Sequence, residues 1–287
     1  YRSPSFNPVK TVLDFAINLV GRIPNRFVGV TKLKSYFANK LTGENHRFCS
    51  LNDNFKIEIN LNDSSENYLW FGCKPKDIIS FLSSNLRPDS VFLDCGANIG
   101  IWTIIALESI KSAGTVHSFE PNPKLCKRLQ KNLDYNKISQ QCTLHEVALS
   151  SDSKTEFLYL DEINHQMGTL RGGKNEKNKI QILTKTLDSF NLNRVDGMKI
   201  DVEGHESQVI KGGMESISFH KPWLVIELNN SFHKIQNITQ WEVYRILTDI
   251  GYMTHFDKTE NLEYTYCRDV IFYDSAKTPT EQFPPFL

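Results

Sequence analysis

The chain has 287 residues, of which 40% are hydrophobic and 23% charged. That balance belongs to a globular protein able to bury a core, sized for one large α/β domain with an extension or for two small domains. The 33 basic and 33 acidic side chains cancel, so the basic excess that neutralises phosphates is missing and nucleic acid is not the expected partner, a local basic patch aside.

Residues 1–50 differ from the rest. Val12, Phe15, Ala16, Leu19 and Val20 fall at helical spacing before Pro24 and nearby glycines break the pattern. This predicts an N-terminal helical extension over 1–50, a cap or a linker, followed by the main domain over 51–287. The best apolar stretch, Val12–Val20, contains Asp14 and Asn18 and falls short of the ~20 residues that cross a bilayer. No transmembrane segment or signal peptide is expected. The first residue is Tyr1 rather than Met, as in a piece of a longer multidomain chain.

From Leu51 the signals become regular. Phe55, Ile57, Ile59 and Leu61 alternate with polar residues, as in a half-buried strand. A βαβ series follows, with strands expected at Ser90–Asp94, Gly114–Glu120, Thr143–Ala148, Met198–Val202, Trp223–Leu228 and Val270–Tyr273. Helices are expected at Ile101–Glu108, Pro123–Leu133, Glu206–Met214 and Trp241–Ile250. Strands alternating with helices imply a mostly parallel sheet with helices on both faces. The polar stretch Ser151–Thr186 breaks the rhythm and predicts an antiparallel excursion with a mobile loop near Gly168–Lys179. None of the six cysteines, Cys49, Cys73, Cys95, Cys126, Cys142 and Cys267, forms a C-x-x-C pair. The thiols suit a reducing, cytoplasmic setting, in which the sequons at Asn62, Asn229 and Asn237 have no role.

The strongest chemical signal is Asp94-Cys95-Gly96-Ala97-Asn98-Ile99-Gly100, between a predicted strand and a predicted helix. Gly96 and Gly100 allow a tight turn and close approach of a ligand, with Asn98 between them. Asp94 at the strand end repels a pyrophosphate and suits a cationic or zwitterionic ligand. S-Adenosylmethionine carries an ammonium and a sulfonium and no phosphate, so the loop favours it over NAD. Read alone, the loop is equally a capped βα turn. The next strand delivers Glu120 at its tip, where an acid accepts hydrogen bonds from both ribose hydroxyls in nucleotide-binding α/β folds. Glu146 and Ala148, at the end of the third strand, are placed beside the adenine.

DCGANIG, FEPNP, TLDSF, MKIDVEGHE and LVIEL occur in this order. Together they resemble the FkbM family of S-adenosylmethionine-dependent methyltransferases, over roughly residues 66–273. The resemblance implies a Rossmann-like class I methyltransferase fold and O-methylation of hydroxyls on sugars or polyketide-type products. One departure is Arg87-Pro88-Asp89-Ser90, where the family has Pro-Gly-Asp before the first strand.

Lys199-Ile200-Asp201-Val202-Glu203-Gly204-His205-Glu206 leaves the fourth strand at the edge where ligands bind in open α/β sheets. Methyl transfer to a hydroxyl needs in-line placement of the oxygen and removal of its proton. Asp201 and Glu203, sharing one side of an extended segment, and His205 are the candidate bases. The rival account is a magnesium ion held by Asp201, Glu203 and Glu227, which would lower the pKa of a bound hydroxyl. Glu206 also reads as a first-turn helix acid, and Lys199 as the ion-pair partner of one of these acids. Trp70, Phe71 and Trp102 are aromatic faces for a sugar, or core residues. The expected function is O-methylation of a sugar or glycan hydroxyl. A lipid, polyketide or other small-molecule acceptor is the alternative, as is a domain that binds cofactor or glycan without catalysis.

Overall fold

The computed structural model describes residues 46–51, 54–61, 63, 66, 69–70, 76–160, 168–170, 178–254, 262–263, 267–274 and 276. The helix expected at Val12–Val20, Phe71, Cys73 and the centre of the expected mobile loop lie outside the described residues. The chain divides between Pro75 and Lys76 into two compact units.

In the first unit, β1 (His46–Ser50) pairs antiparallel with β2 (Lys56–Asn60). The last five residues of the expected helical extension are therefore a strand. The alternation that predicts β2 accounts for it, because Ile57 and Ile59 are fully buried and a hairpin partner satisfies their backbone. Glu66 tightens this unit by accepting from the Asn60 amide at 2.6 Å.

The second unit is built on a seven-stranded sheet. In chain order it contains α1 (Lys76–Asn85), β3 (Val91–Cys95), α2 (Ile101–Ile110), β4 (Thr115–Phe119), α3 (Pro123–Tyr135), β5 (Cys142–His145), β6 (Ala148–Leu149), β7 (Thr155–Leu160), β8 (Gly168–Thr169), β9 (Lys179–Lys185), β10 (Gly197–Ile200), α4 (Glu206–Gly212), α5 (Met214–His220), β11 (Trp223–Asn229), α6 (Asn230–His233), α7 (Glu242–Asp249), β12 (Tyr252–Thr254) and β13 (Cys267–Asp274). The sheet runs β12-β13-β11-β10-β3-β4-β5. Its strands are parallel except β13, which is antiparallel to both β11 and β12. This is the Rossmann-like class I methyltransferase order. The direction of strand addition reverses between β3 and β10, so the ligand crevice opens at their carboxyl ends.

Alternation along the strands sends side chains to both faces. Leu93, Cys95, Met198, Ile200, Leu224, Ile226 and Leu228 pack with Val209 and Ile210 of α4, Ile217 of α5 and Val243 and Leu247 of α7. Phe92 and Trp223 take the opposite face, where the Trp223 ring meets Phe92 at 5.7 Å and Phe81 of α1 at 5.1 Å. Helices thus cover both faces, as the strand–helix rhythm predicts.

Two elements of this unit differ from the sequence reading. The third strand ends at His145, where the chain turns out of the sheet (the Val147 amide bonds back to the His145 carbonyl at 2.9 Å). Ala148 and Leu149 then pair with Thr184 and Lys185 in a separate small sheet. There β7 runs antiparallel to β9 and β8, the excursion that the polar composition predicts. The helix expected at Glu206–Met214 is two helices, interrupted at Gly213.

Gly197 shows how tightly the sheet face is filled. A Cβ built there would lie 2.2 Å from Cζ2 of Trp223, whose ring is wedged between Phe81 and Phe92. Gly197→Ala should therefore destabilise by roughly 1–3 kcal/mol, the range for overpacking a filled core. A urea titration checks this, and an unchanged midpoint at constant slope contradicts the packing described.

Candidate functional site

The β3–α2 loop turns on backbone conformations that favour glycine. Gly96 and Gly100 have φ of 86° and 94°, and Asn98 has φ of 51°. Gly96 has no room for any other residue, because an added Cβ would come within 1.9 Å of the Asp201 carbonyl oxygen. The loop therefore lies directly on the chain leaving β10. The amides of Gly96 and Ala97 bond to the Phe119 carbonyl at 2.9 and 3.0 Å, fastening the loop to the end of β4.

Glu120 staples the site together. Its Oε2 accepts from the Asn98 amide and its Oε1 from the Asn122 amide, both at 2.9 Å. Burial pushes its carboxyl up to about 7, against the lowering effect of those two amides. Asn122 caps α3 by accepting from the Lys124 amide at 3.0 Å, with Pro123 beginning the helix. Beside Glu120, the His145 ring stacks on Phe119 at 4.6 Å and meets Phe190 at 4.8 Å. Burial holds this imidazole down to about 4, with His117 adding to the effect. No sequence pattern marks this aromatic group, because its members come from β4, β5 and the turn before β10.

The structure places Asp94 beneath the loop, fully buried. Its Oδ2 accepts from the Thr103 hydroxyl of α2 at 2.6 Å, and Thr103 is bonded in turn to Ser118 at 2.7 Å. Asp94 Oδ1 and Asn98 Oδ1 are buried without a hydrogen-bond partner. Two unfilled acceptors at one loop suit a ligand that brings donors. Glu146 is exposed, and Ala148 packs with Leu158 and Ile182 in the core of the small sheet.

At the neighbouring strand end, β10 stops at Ile200 rather than at the expected Val202. The segment that follows is turned instead of extended. Glu203 and Gly204 have φ of 50° and 90°, and Glu206 closes the turn by accepting from the Gly204 amide at 2.9 Å. Asp201 and Glu203 thus do not share one side of an extended segment, as the sequence reading expects. Lys199, 1% exposed, bonds to Asp201 at 3.1 Å and to Asp269 of β13 at 3.0 Å. Burial works against its charge, but Asp201, Asp269 and Glu227 outweigh it and hold the ammonium well above its usual range. Trp102 lies beneath it, the ammonium 5.7 Å from the ring centre.

Glu227 is pushed up to about 9, by the charge of Asp201 first, then by burial, with Glu203 and Asp269 adding. The three acids expected to bind magnesium therefore do sense one another. Among the described residues, however, no three His, Cys, Asp or Glu side chains are grouped so as to hold a metal ion, and the cation bonded to Asp201 is Lys199. His205 lies on the other flank of the turn. Its Nε2 is 3.0 Å from the Ser150 hydroxyl, a contact across 55 residues that the sequence reading misses. Both border a polar cavity of about 310 Å³.

A parallel sheet with this strand order, a glycine loop at the switch point, an acid ending the second strand and an acidic turn after the fourth define a methyltransferase-type cofactor domain. The family model "Methyltransferase FkbM domain" matches residues 94–254, and the chain belongs to this family. It is 28% identical over 149 residues to Methyltransferase 1 of Beauveria bassiana, covering 43% of this chain and 58% of that protein. It is 28% identical over 149 residues to the hexuronic acid methyltransferase AglP of Haloferax volcanii, covering 50% of this chain and 59% of that protein. The chain thus spans under three fifths of the length of these curated relatives. Among solved structures it resembles a methyltransferase FkbM from Methylobacillus flagellatus, at 14% identity and a TM-score of 0.45, covering 92% of this chain and 60% of that one.

The buried carboxyls make a pH prediction. Burial raises Asp94 from 3.8 to about 6, partly offset by the Thr103 hydrogen bond and by Lys199. Its contribution to stability is therefore complete below pH 3.8 and lost as pH rises to 6. Asp94→Asn lacks this loss. Relative to the unsubstituted chain, the variant should gain about 2–3 kcal/mol between pH 4 and pH 7. Denaturant unfolding across that range checks it, and parallel pH profiles contradict it.

Proposed function

We propose that this chain is an S-adenosylmethionine-dependent O-methyltransferase acting on a hydroxyl of a sugar or glycan. The carrying observation is the pair of facing loops, with Gly96 against the Asp201 carbonyl and Glu120 fixed at their side. This arrangement supports a cofactor laid across the ends of β4, β3 and β10, and so beside the turn that carries the candidate bases. The similarity to the Haloferax volcanii hexuronic acid methyltransferase supports a sugar as the acceptor class.

Bound S-adenosylmethionine supplies an electrophilic methyl group and leaves as S-adenosylhomocysteine. The chain's own residues do the rest. Glu120 accepts only one amide on each oxygen and would hold the two ribose hydroxyls on its remaining lone pairs. Asn98 Oδ1 and the field of buried Asp94 favour the ligand's donors and positive charge. With the cofactor bound, His205 would receive the proton of the acceptor hydroxyl. It is preferred over Asp201, which is engaged by Lys199, and over Glu203, whose backbone is held in the left-handed region. The magnesium account, with Asp201, Glu203 and Glu227 as ligands, is the second reading, favoured by the mutual proximity that raises Glu227.

Two measurements test the proposal. Glu120→Gln keeps the shape of the side chain but loses its charge. Calorimetry with S-adenosylhomocysteine should show affinity weakened tens-fold, because two charge-assisted hydrogen bonds are lost, and unchanged affinity rejects the ribose assignment. His205→Ala should lower kcat by about 10²–10⁴ while leaving that affinity intact. Asp201→Asn and Glu203→Gln run beside it. A smaller loss in His205→Ala than in either of them moves the base to that carboxylate. Activity abolished by EDTA and restored by magnesium replaces the proton-only reading with the metal one.

A further inference from the structure

The cavity beside His205 carries information about the acceptor that no sequence motif holds. It measures about 310 Å³, the lower end of the range for small-molecule sites. One wall is the start of α4, with Gly204, His205, Ser207 and Gln208. The other is the strand-and-turn segment of the small sheet, with Ser150, Ser151, Asp152, Lys154 and Glu156. Among the described residues its only aliphatic lining side chain is Leu170. A lipid tail or a polyketide body would gain little by entering, because apolar burial requires an apolar wall. Hydroxyl groups fit, since each both donates and accepts, and the lining offers carboxylates, hydroxyls and the Gln208 amide.

The charge of the lining narrows the choice further. Lys154 is the one ammonium among these residues, and it is already engaged. Its Nζ lies 3.1 Å from Asp152 and 2.7 Å from Glu156, and these two bonds hold its charge on, above the usual lysine range. Among the described residues, two carboxylates against one ammonium leave the lining with a net negative charge when His205 is neutral. An acceptor bearing its own carboxylate would meet a negative field from the described lining residues, among which no cation is unspent.

We infer that the cavity flanking His205 is the acceptor subsite and that it selects an uncharged, hydroxyl-bearing sugar over a uronic acid or an aliphatic alcohol. This rests on the methyltransferase reading above and adds the substrate class to the same site. The discrimination is electrostatic and partly screened, because Lys154 and Asp152 are 48% and 53% exposed. It should amount to about ten-fold at moderate salt and shrink as salt rises.

The test uses the whole chain saturated with S-adenosylhomocysteine, whose binding is first measured by calorimetry. Failure of that step removes the methyltransferase reading itself and is distinct from failure of the inference. Saturation-transfer NMR then compares a methyl hexoside, the matching methyl hexuronide and 1-octanol. The expected result is hexoside binding about ten-fold tighter than hexuronide, with octanol unbound. Asp152→Asn combined with Glu156→Gln, both on the open side of the cavity, should abolish the preference while the melting temperature holds. Gln208→Ala, on the opposite wall, should weaken hexoside binding several-fold. Hexuronide binding as tight as hexoside, octanol binding better than either, or no sugar binding at all in the presence of bound S-adenosylhomocysteine each overturns the inference. So does hexoside binding that ignores both variants.

Discussion

Lys199 is the constraint on which the site depends. A cation on the middle strand of a sheet, 1% exposed, is tolerable only if acids surround it, because removing a partner from a buried pair costs on the order of 3–5 kcal/mol. Its partners come from different parts of the chain. Asp201 lies just past the end of its own strand, while Asp269 belongs to β13, two strands away across β11. Asp94, its register neighbour on β3, also feels its field. One ammonium thus links β3, the turn after β10 and the antiparallel strand β13. The chain cannot lose it without exposing three elements to unbalanced charge at once.

The rest of the site is rigid backbone held by few side chains. The β3–α2 loop and the turn after β10 are packed against each other through Gly96 and the Asp201 carbonyl. A shift in one must move the other. Glu120 fixes the first loop and starts α3 in the same act, through the amides of Asn98 and Asn122. Glu206 fixes the second by accepting from Gly204 while its other oxygen meets His233 of α6 at 3.1 Å. Such a site is arranged before any ligand arrives, which lowers the ordering cost of binding and keeps donors and acceptors in place for the reaction.

The sequence carries these features unequally, and the reason is range. DCGANIG and the acid at Glu120 are legible because a tight βα turn and a strand-end acid are fixed by neighbouring residues. The helix pattern and the parallel sheet follow from periodicity in the same way. The Lys199–Asp201 pair is two residues wide and can be anticipated, but Asp269 enters only through sheet order. Asp94 points to its position in the loop but not to its burial, which is decided by Thr103 on the following helix. The end of β10 is misplaced by two residues because Gly204 takes a positive φ that the apolar pattern of Ile200 and Val202 conceals. His205 and Ser150 lie 55 residues apart, joined only because the small sheet folds back onto α4.

That fold-back separates two chemistries around a single turn. On one flank, buried Lys199 is ion-paired with part-exposed Asp201 and Asp269, and Glu227 lies within their field. On the other, His205 and Ser150 border a cavity whose described lining combines hydroxyls and the Gln208 amide with the Lys154–Asp152 and Lys154–Glu156 ion pairs. The buried ionic group holds the end of β10 where the turn must begin, with the Asp201 and Asp269 carboxylates both spent on Lys199. The polar flank can exchange hydrogen bonds with an incoming hydroxyl without breaking an ion pair. The segment after β5, which leaves the main sheet at Glu146 and returns at Gly197, builds the wall of that flank. In this chain the motifs of the strand ends are built by neighbouring residues, whereas the wall beside His205 is built by the polar insertion, whose existence the composition predicts but whose docking onto α4 it does not.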